Sequence, residues 1–289
     1  MPQRTRRHYL IALPGHTLEL GPRTLVMGIL NVTPDSFSDG SLFLEPERAV
    51  ARAWRIADEG ADILDVGAES TRPGSEGVSV EEELRRVTPV LEALQGKYPL
   101  PISIDTSKPE VARAALQRGA VIVNDVTGLG NGSALAEAAA AWDAALLLMH
   151  MRGTPRDMQR LPPSPDILRE IESWAEDVVA RAGSCGVSSG KIILDPGIGF
   201  GKTVRQNLEI LRNLDHLAAA GFPLLVGTSR KSFIGAILGD PRADRSWGTA
   251  ASVAASIVYG AHIVRVHDVA PMRDVARMTD AVVHESISE

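Results

Sequence analysis

Eight short apolar runs recur along this chain, each bounded by turn residues and set apart from the next by a helical pattern. They are Thr24–Asn31, Asp62–Gly67, Pro101–Thr106, Val121–Val126, Ala145–His150, Lys191–Asp195, Pro223–Gly227 and His262–His267. They alternate little between apolar and polar residues, as expected of parallel strands covered on both faces. Between them lie stretches rich in Ala, Leu, Glu and Arg: Pro46–Glu59, Ser79–Gln95, Lys108–Arg118, Ser133–Trp142, Ser164–Ala182, Val204–Ala219, a stretch after Ser229, and Val269–His284. Ser79 and Glu82 have the spacing of a capping box. Gly60, Gly119 and Gly221 stand where helices hand over to strands. Eight strands alternating with helices in roughly 250 residues predict an α/β fold, a single-domain (β/α)8 or TIM barrel. A doubly wound open sheet is the alternative. Residues 1–23 read as an N-terminal arm or small hairpin, and residues 24–289 as the barrel.

Composition narrows the partners. The net charge of −6 gives no broad attraction to nucleic acid or to an anionic membrane. An anionic substrate therefore needs a local basic site. A single cysteine, Cys185, allows no internal disulfide, which points to a reducing, cytoplasmic setting. No apolar run approaches the length of a membrane span. Lysine is confined to Lys97, Lys108, Lys191, Lys202 and Lys231, and the other basic residues are arginine.

Barrels of this kind carry their chemistry at the C-terminal ends of the strands. Those ends hold Asn31, then Asp65 with Thr71 and Arg72 beyond it, Asp105, Asn124 and Asp125, Met149 and His150, Asp195, the run Ser229-Arg230-Lys231-Ser232, and Arg265 with His267. A lone Asp after a strand is usually a turn former, and Asp125 reads that way. His150 by itself reads as a structural histidine, and Asn124 by itself fits either reading. Asp105 and Asp195 stand among Ile, Leu and Val, where an unpartnered carboxylate is costly, so a functional role is favoured for both. Two carboxylates and an Asn suit a planar heterocycle with a guanidinium-like edge. Arg72, Lys231, Arg265 and His267, with Asn31, form a cationic patch suited to phosphate or diphosphate. GIGFGKT (197–203) has the look of a phosphate-binding loop, but its spacing is one residue short and Pro196 stands where glycine is required. Lys231 also invites a Schiff-base reading, though Arg230 and the serines around it suit anion binding better.

The stretches GILNVTPDSFSDG (28–40), DILDVGAESTRPG (62–74), SIDTSKP (103–109), NDVTG (124–128), LMHMRGTPRDMQ (148–159), LDPGIGFGK (194–202), GTSRKS (227–232) and RVHDV (265–269) together resemble the dihydropteroate synthases of folate biosynthesis. Ser41 and Ala68 depart from the family's usual glycines and supply no functional side chain. The resemblance implies a transferase that joins 6-hydroxymethyl-7,8-dihydropterin diphosphate to p-aminobenzoate, releasing pyrophosphate. It implies that Asp105, Asn124, Met149, Asp195, Lys231 and Arg265 bind the pterin. Asn31, Arg72, Arg265 and His267 would hold the diphosphate, with Asn31 also a ligand of Mg2+. Thr71, Pro73, Phe200 and Ser232 would receive p-aminobenzoate, the carboxylate meeting Ser232 and the helix N-terminus. Asp35, Lys231 and Arg265 would assist catalysis by a dissociative substitution at the exocyclic methylene, under closure of the NVTPDSFSDG and TRPG loops. Asp35 and Ser36 fit plain turn residues equally well. A homodimer is also implied. The other readings are a methyltetrahydrofolate–corrinoid methyltransferase and a non-catalytic pterin-binding barrel.

Overall fold

Alternation along each strand decides which residues meet inside this protein. The computed structural model describes residues 6–33, 45–70, 75, 77–158, 160–240 and 242–284. A short antiparallel hairpin comes first, β1 (Tyr9–Leu13) and β2 (His16–Leu20). Gly15, at φ 73°, supplies the left-handed position its two-residue turn needs. Eight parallel strands follow: β3 (Leu25–Asn31), β4 (Ile63–Gly67), β5 (Ile102–Asp105), β6 (Ala120–Asp125), β7 (Ala145–Met149), β8 (Ile192–Asp195), β9 (Leu225–Val226) and β10 (Ile263–Val266). Their order is β8-β7-β6-β5-β4-β3-β10-β9. A parallel bridge between Leu194 and Leu224 joins the two outer strands and closes the barrel. The open-sheet alternative is thereby excluded.

The helices are α1 (Glu45–Asp58), α2 (Val80–Leu94), α3 (Pro109–Leu116), α4 (Ala134–Ala141), α5 (Ile167–Ser184), α6 (Val204–Arg212), α7 (Leu214–Ala218), α8 (Ser232–Leu238), α9 (Ser246–Val258) and α10 (Val269–His284). They form the outer layer. Outward-facing strand residues such as Val26, Leu64, Val66, Ile104, Val123 and Leu148 pack against helix residues such as Ile56, Leu91, Val111 and Val178. Three helical expectations are corrected. The single helix over 204–219 breaks at Asn213, whose side-chain amide donates to the Glu209 carbonyl at 2.7 Å. The stretch after Ser229 is two helices, the first ended by Gly239 at φ 74°. Ser79 caps α2 by accepting from the Glu82 N–H, but the Glu82 carboxylate turns to Arg85 and Arg86 and does not complete the box. A full capping box forms at Thr203 and Gln206, which the sequence reading passed over.

Successive side chains on a strand point to opposite faces, so residues two apart share one. Met27, Ile63, Ile122, Leu147, Ile193, Leu225 and Ile263 form an apolar floor inside the barrel. Two residues further along the same faces stand Asp65, Asn124, Met149, Asp195 and Arg265. One strand thus supplies a greasy residue to the floor and, mostly, a polar one to the mouth. Ile11, Leu13, Leu18 and Leu20 of the hairpin press on this floor from below and seal it. His262 fastens the approach to the hairpin: its Nε2 bonds the Arg7 carbonyl at 3.0 Å and its Nδ1 accepts from the Leu224 N–H at 3.2 Å.

Candidate active site

The mouth is organised around one arginine. Arg265, near the end of β10, donates through Nε to Asp65 at 2.6 Å and through a terminal nitrogen to Asp105 at 2.7 Å. Asp65 is fully buried and also accepts from the Asn124 side-chain amide at 3.2 Å. Four side chains from four strands are therefore tied into one network. Burial pulls the Arg265 guanidinium toward neutrality, but Asp65 and Asp105 more than offset this and hold it charged. Burial pushes the Asp105 carboxyl up, against the pull of Arg265. Asp65 stands at the centre of this network, a place to which its sequence position alone assigned no role. The signal was available: it lies between Leu64 and Val66, the same apolar setting that marked Asp105.

A second cluster lies beside the first. Lys231 precedes α8, and its ammonium sits 3.8 Å from the centre of the Phe200 ring, a cation–π contact. Phe200 packs with Val126, Met149 and Met158. Burial lowers the Lys231 ammonium to about 8, with Asp195 acting in the opposite direction. Asp195 ends β8; its carboxylate accepts from the Gly197 N–H at 2.7 Å, and burial pushes its pKa up. Lys202, buried behind this cluster, is brought down by burial to about 7.

The remaining expected residues take their places around these. His267 follows β10, and its Nδ1 lies 2.9 Å from the Ser229 hydroxyl. Asn31 ends β3 opposite Gly67. Ser232 opens α8 in an exposed position next to Lys231. Asp125 is the turn former expected of it: its carboxylate accepts from the backbone N–H groups of Thr127 and Leu129. His150 is a buried structural histidine, kept neutral by burial and by Lys202 and Arg152. Asp35, Thr71, Arg72 and Pro73 lie outside the described residues.

Sheet order divides the mouth. Asp105, Asn124, Met149 and Asp195 come from the neighbouring strands β5 to β8, and form an arc of acceptors with one apolar residue. Lys231, Arg265, His267 and Asn31 come from β9, β10 and β3 or the turns after them, and form an arc of cations and neutral donors. Such a cavity can hold a planar, donor-rich heterocycle on one side and an anionic group on the other.

Residues 27–267 match the family described as pterin binding enzymes. The dihydropteroate synthase of Synechocystis is 49% identical over 270 residues, which cover 93% of each chain. The solved dihydropteroate synthase of Xanthomonas albilineans with 4-aminobenzoic acid superposes with a TM-score of 0.89 at 41% identity, covering 98% of this chain and 100% of that one. The corresponding Clostridium difficile structure, determined in the presence of pteroic acid, gives a TM-score of 0.86 at 46% identity, covering 92% of this chain and 98% of that one. A polar mouth of this composition on a barrel of this topology has the same kin by sequence and by shape, and the chain belongs to the dihydropteroate synthases of the pterin-binding family.

Proposed function

We propose that this protein condenses 6-hydroxymethyl-7,8-dihydropterin diphosphate with p-aminobenzoate to give 7,8-dihydropteroate and pyrophosphate. The division of the mouth into an acceptor arc and a cation arc carries this reading. The amino-oxo edge of the pterin offers paired N–H donors, which Asp195 takes with its carboxylate while Asn124 and Asp105 flank it. Lys231 hydrogen-bonds the ring, and Met149 packs on it. Arg265 stacks over the pterin and reaches the diphosphate with His267.

The bond between the exocyclic methylene and the diphosphate oxygen breaks, and both electrons leave with pyrophosphate. The electron-rich dihydropterin spreads the resulting positive charge. The aniline nitrogen then attacks the methylene and loses a proton. Fixed cations stabilise the departing anion most as the bond breaks, where charge develops. No protein nucleophile is needed.

Magnesium belongs to the same reading. Among the described residues no group of three or more His, Cys, Asp and Glu is placed to hold a metal. Asn31 offers a neutral oxygen at the mouth, which fits an ion that takes one or two protein ligands and completes its shell with phosphate and water. When bound, the ion would neutralise the leaving diphosphate.

Two coarser features complete the proposal. A homodimer through the outer helices is supported by exposed Leu208 on α6, Ile237 and Leu238 on α8, and Trp247 on α9, the last 84% exposed. A cytoplasmic location rests on the single, unpaired Cys185. No helix among the described residues is long and apolar enough to cross a membrane.

The test follows both products. Purified protein is incubated with the pterin diphosphate, labelled p-aminobenzoate and Mg2+, and labelled dihydropteroate and pyrophosphate are measured. Equal amounts of both, abolished by a chelator, are expected. Pterin binding without either product would favour the methyltransferase or non-catalytic readings.

A further inference from the structure

The GIGFGKT stretch contains a lysine for which the proposed reaction has no use, and its surroundings show what it does. Lys202 is only 7% exposed. Its ammonium donates to three backbone carbonyls, those of His150 at 3.0 Å, Gly197 at 2.9 Å and Phe200 at 3.1 Å. An ammonium has three donors, so its capacity is filled. The acceptors belong to two loops, the one after β7 and the one between β8 and α6. These loops run backbone against backbone. A Cβ at Gly197 would lie 1.9 Å from the His150 carbonyl oxygen, and one at Gly201 would lie 2.5 Å from that of Arg152. The buried carbonyl dipoles converge on one point, where a group with three donors satisfies them and their negative ends favour a cation.

The loop between β8 and α6 is supported elsewhere as well. The Asn207 side-chain oxygen accepts from the Gly199 N–H at 2.7 Å, and Arg152 donates to the Gly201 carbonyl at 3.2 Å. Its other side faces the mouth, where Phe200 lies under the Lys231 ammonium. We propose that Lys202 is a positioning residue: its ammonium takes the place of a bound cation where two loops cross, and holds residues 197–201 in the form that seats Phe200 and Lys231. The effect on substrate rests on the reading of Phe200 as part of the p-aminobenzoate pocket.

The first test needs no substrate. The Gly197, Gly199 and Phe200 amides are hydrogen-bonded, so their hydrogen exchange reports the loop. In Lys202→Met, which keeps the length of the side chain and removes its donors, these amides should exchange roughly tenfold faster or more, while the barrel strands keep their protection. Kinetically, KM for p-aminobenzoate should rise roughly tenfold with kcat changed far less, because a misplaced ring weakens binding more than bond breaking. Unchanged exchange would overturn the proposal. If the variant loses protection throughout the barrel, Lys202→Ala decides. Propylammonium should restore loop protection and KM while propanol, of like size and no charge, should not; equal effects of the two would mean that the lysine fills space only. If the wild type turns over no substrate, the reaction reading has failed, and exchange alone judges Lys202.

Discussion

Replacing Asp65 by asparagine keeps the shape of a fully buried side chain and removes its charge. Arg265 would then face one carboxylate where it now has two, and Asn124 would lose its carboxylate acceptor. Removing one member of a buried charge network costs roughly 3–5 kcal/mol. Asp65→Asn should therefore melt lower and bind a pterin at least roughly tenfold more weakly; a calorimetric titration with wild-type affinity would show that Asp65 positions nothing. Asp195→Asn should behave differently. Its amide oxygen can still accept from Gly197, and loss of the charge relieves the burial that pushes the native carboxyl upward. The variant should melt no lower than wild type yet lose roughly ten- to hundredfold in pterin affinity, the worth of a charge-assisted hydrogen bond. Joint loss of stability and affinity would make Asp195 a structural residue. Asp105, Asn124, Asp195 and Arg265 were legible in the sequence as polar residues ending apolar runs. The apolar setting of Asp65 was equally legible, but its pairing was not, because its partner Arg265 stands 200 residues away.

Strands and helices were legible wherever one local pattern governed them. Seven of the eight barrel strands fall within their expected runs, most of them shortened where end residues turn into loops, and β6 begins one residue early, at Ala120. The break at Asn213 was hidden because a single side-chain bond to the Glu209 carbonyl overrides a continuous helical pattern. The hairpin depends on His262, a residue just before β10. Burial lowers this histidine to about 4, with the Arg7 carbonyl opposing and the nearby Arg6 assisting. The unfolded chain takes up a proton near pH 6.5, and the folded chain does so only near 4. Stability is thus full above pH 6.5 and falls as the pH drops toward 4, by about 3 kcal/mol if the whole shift is realised. In His262→Gln, denaturant melts from pH 7 to 4 should show a shallower fall, the remainder including His150, whose pKa is also depressed. An unaltered slope would place the acid sensitivity elsewhere.

At the scale of the whole molecule, strand number and barrel closure followed from the sequence, while the contacts that close and seal it did not. Closure rests on the Leu194–Leu224 bridge, beside a strand only two residues long. Sealing rests on Ile11, Leu13, Leu18 and Leu20, whose alternation becomes meaningful once the floor they cover is known. Below this seal Arg6 is clamped to Asp280 at 2.5 Å and to the Ala261 carbonyl at 2.9 Å. Its side chain is 1% exposed, so Asp280→Ala would strand a buried cation, at a cost of roughly 3–5 kcal/mol. The variant should unfold at markedly lower denaturant concentration while each folded molecule turns over substrate at the wild-type rate. A fall in turnover at low temperature, with the fold intact, would show that the two ends of the barrel communicate.

Arg6 also lies 3.0 Å from His284, near the other end of the described chain. Arg6 and His284, the first and last described residues, therefore lie together on the face turned away from the chemistry. An affinity handle, a fluorescent reporter or a bead attached at either end would leave the substrate entrance unobstructed. A short peptide could splice the ends together, so that the barrel becomes a ring reopened at an exposed helix connection. The circle of strands would accept such a rearranged gene without having to redraw its catalytic face.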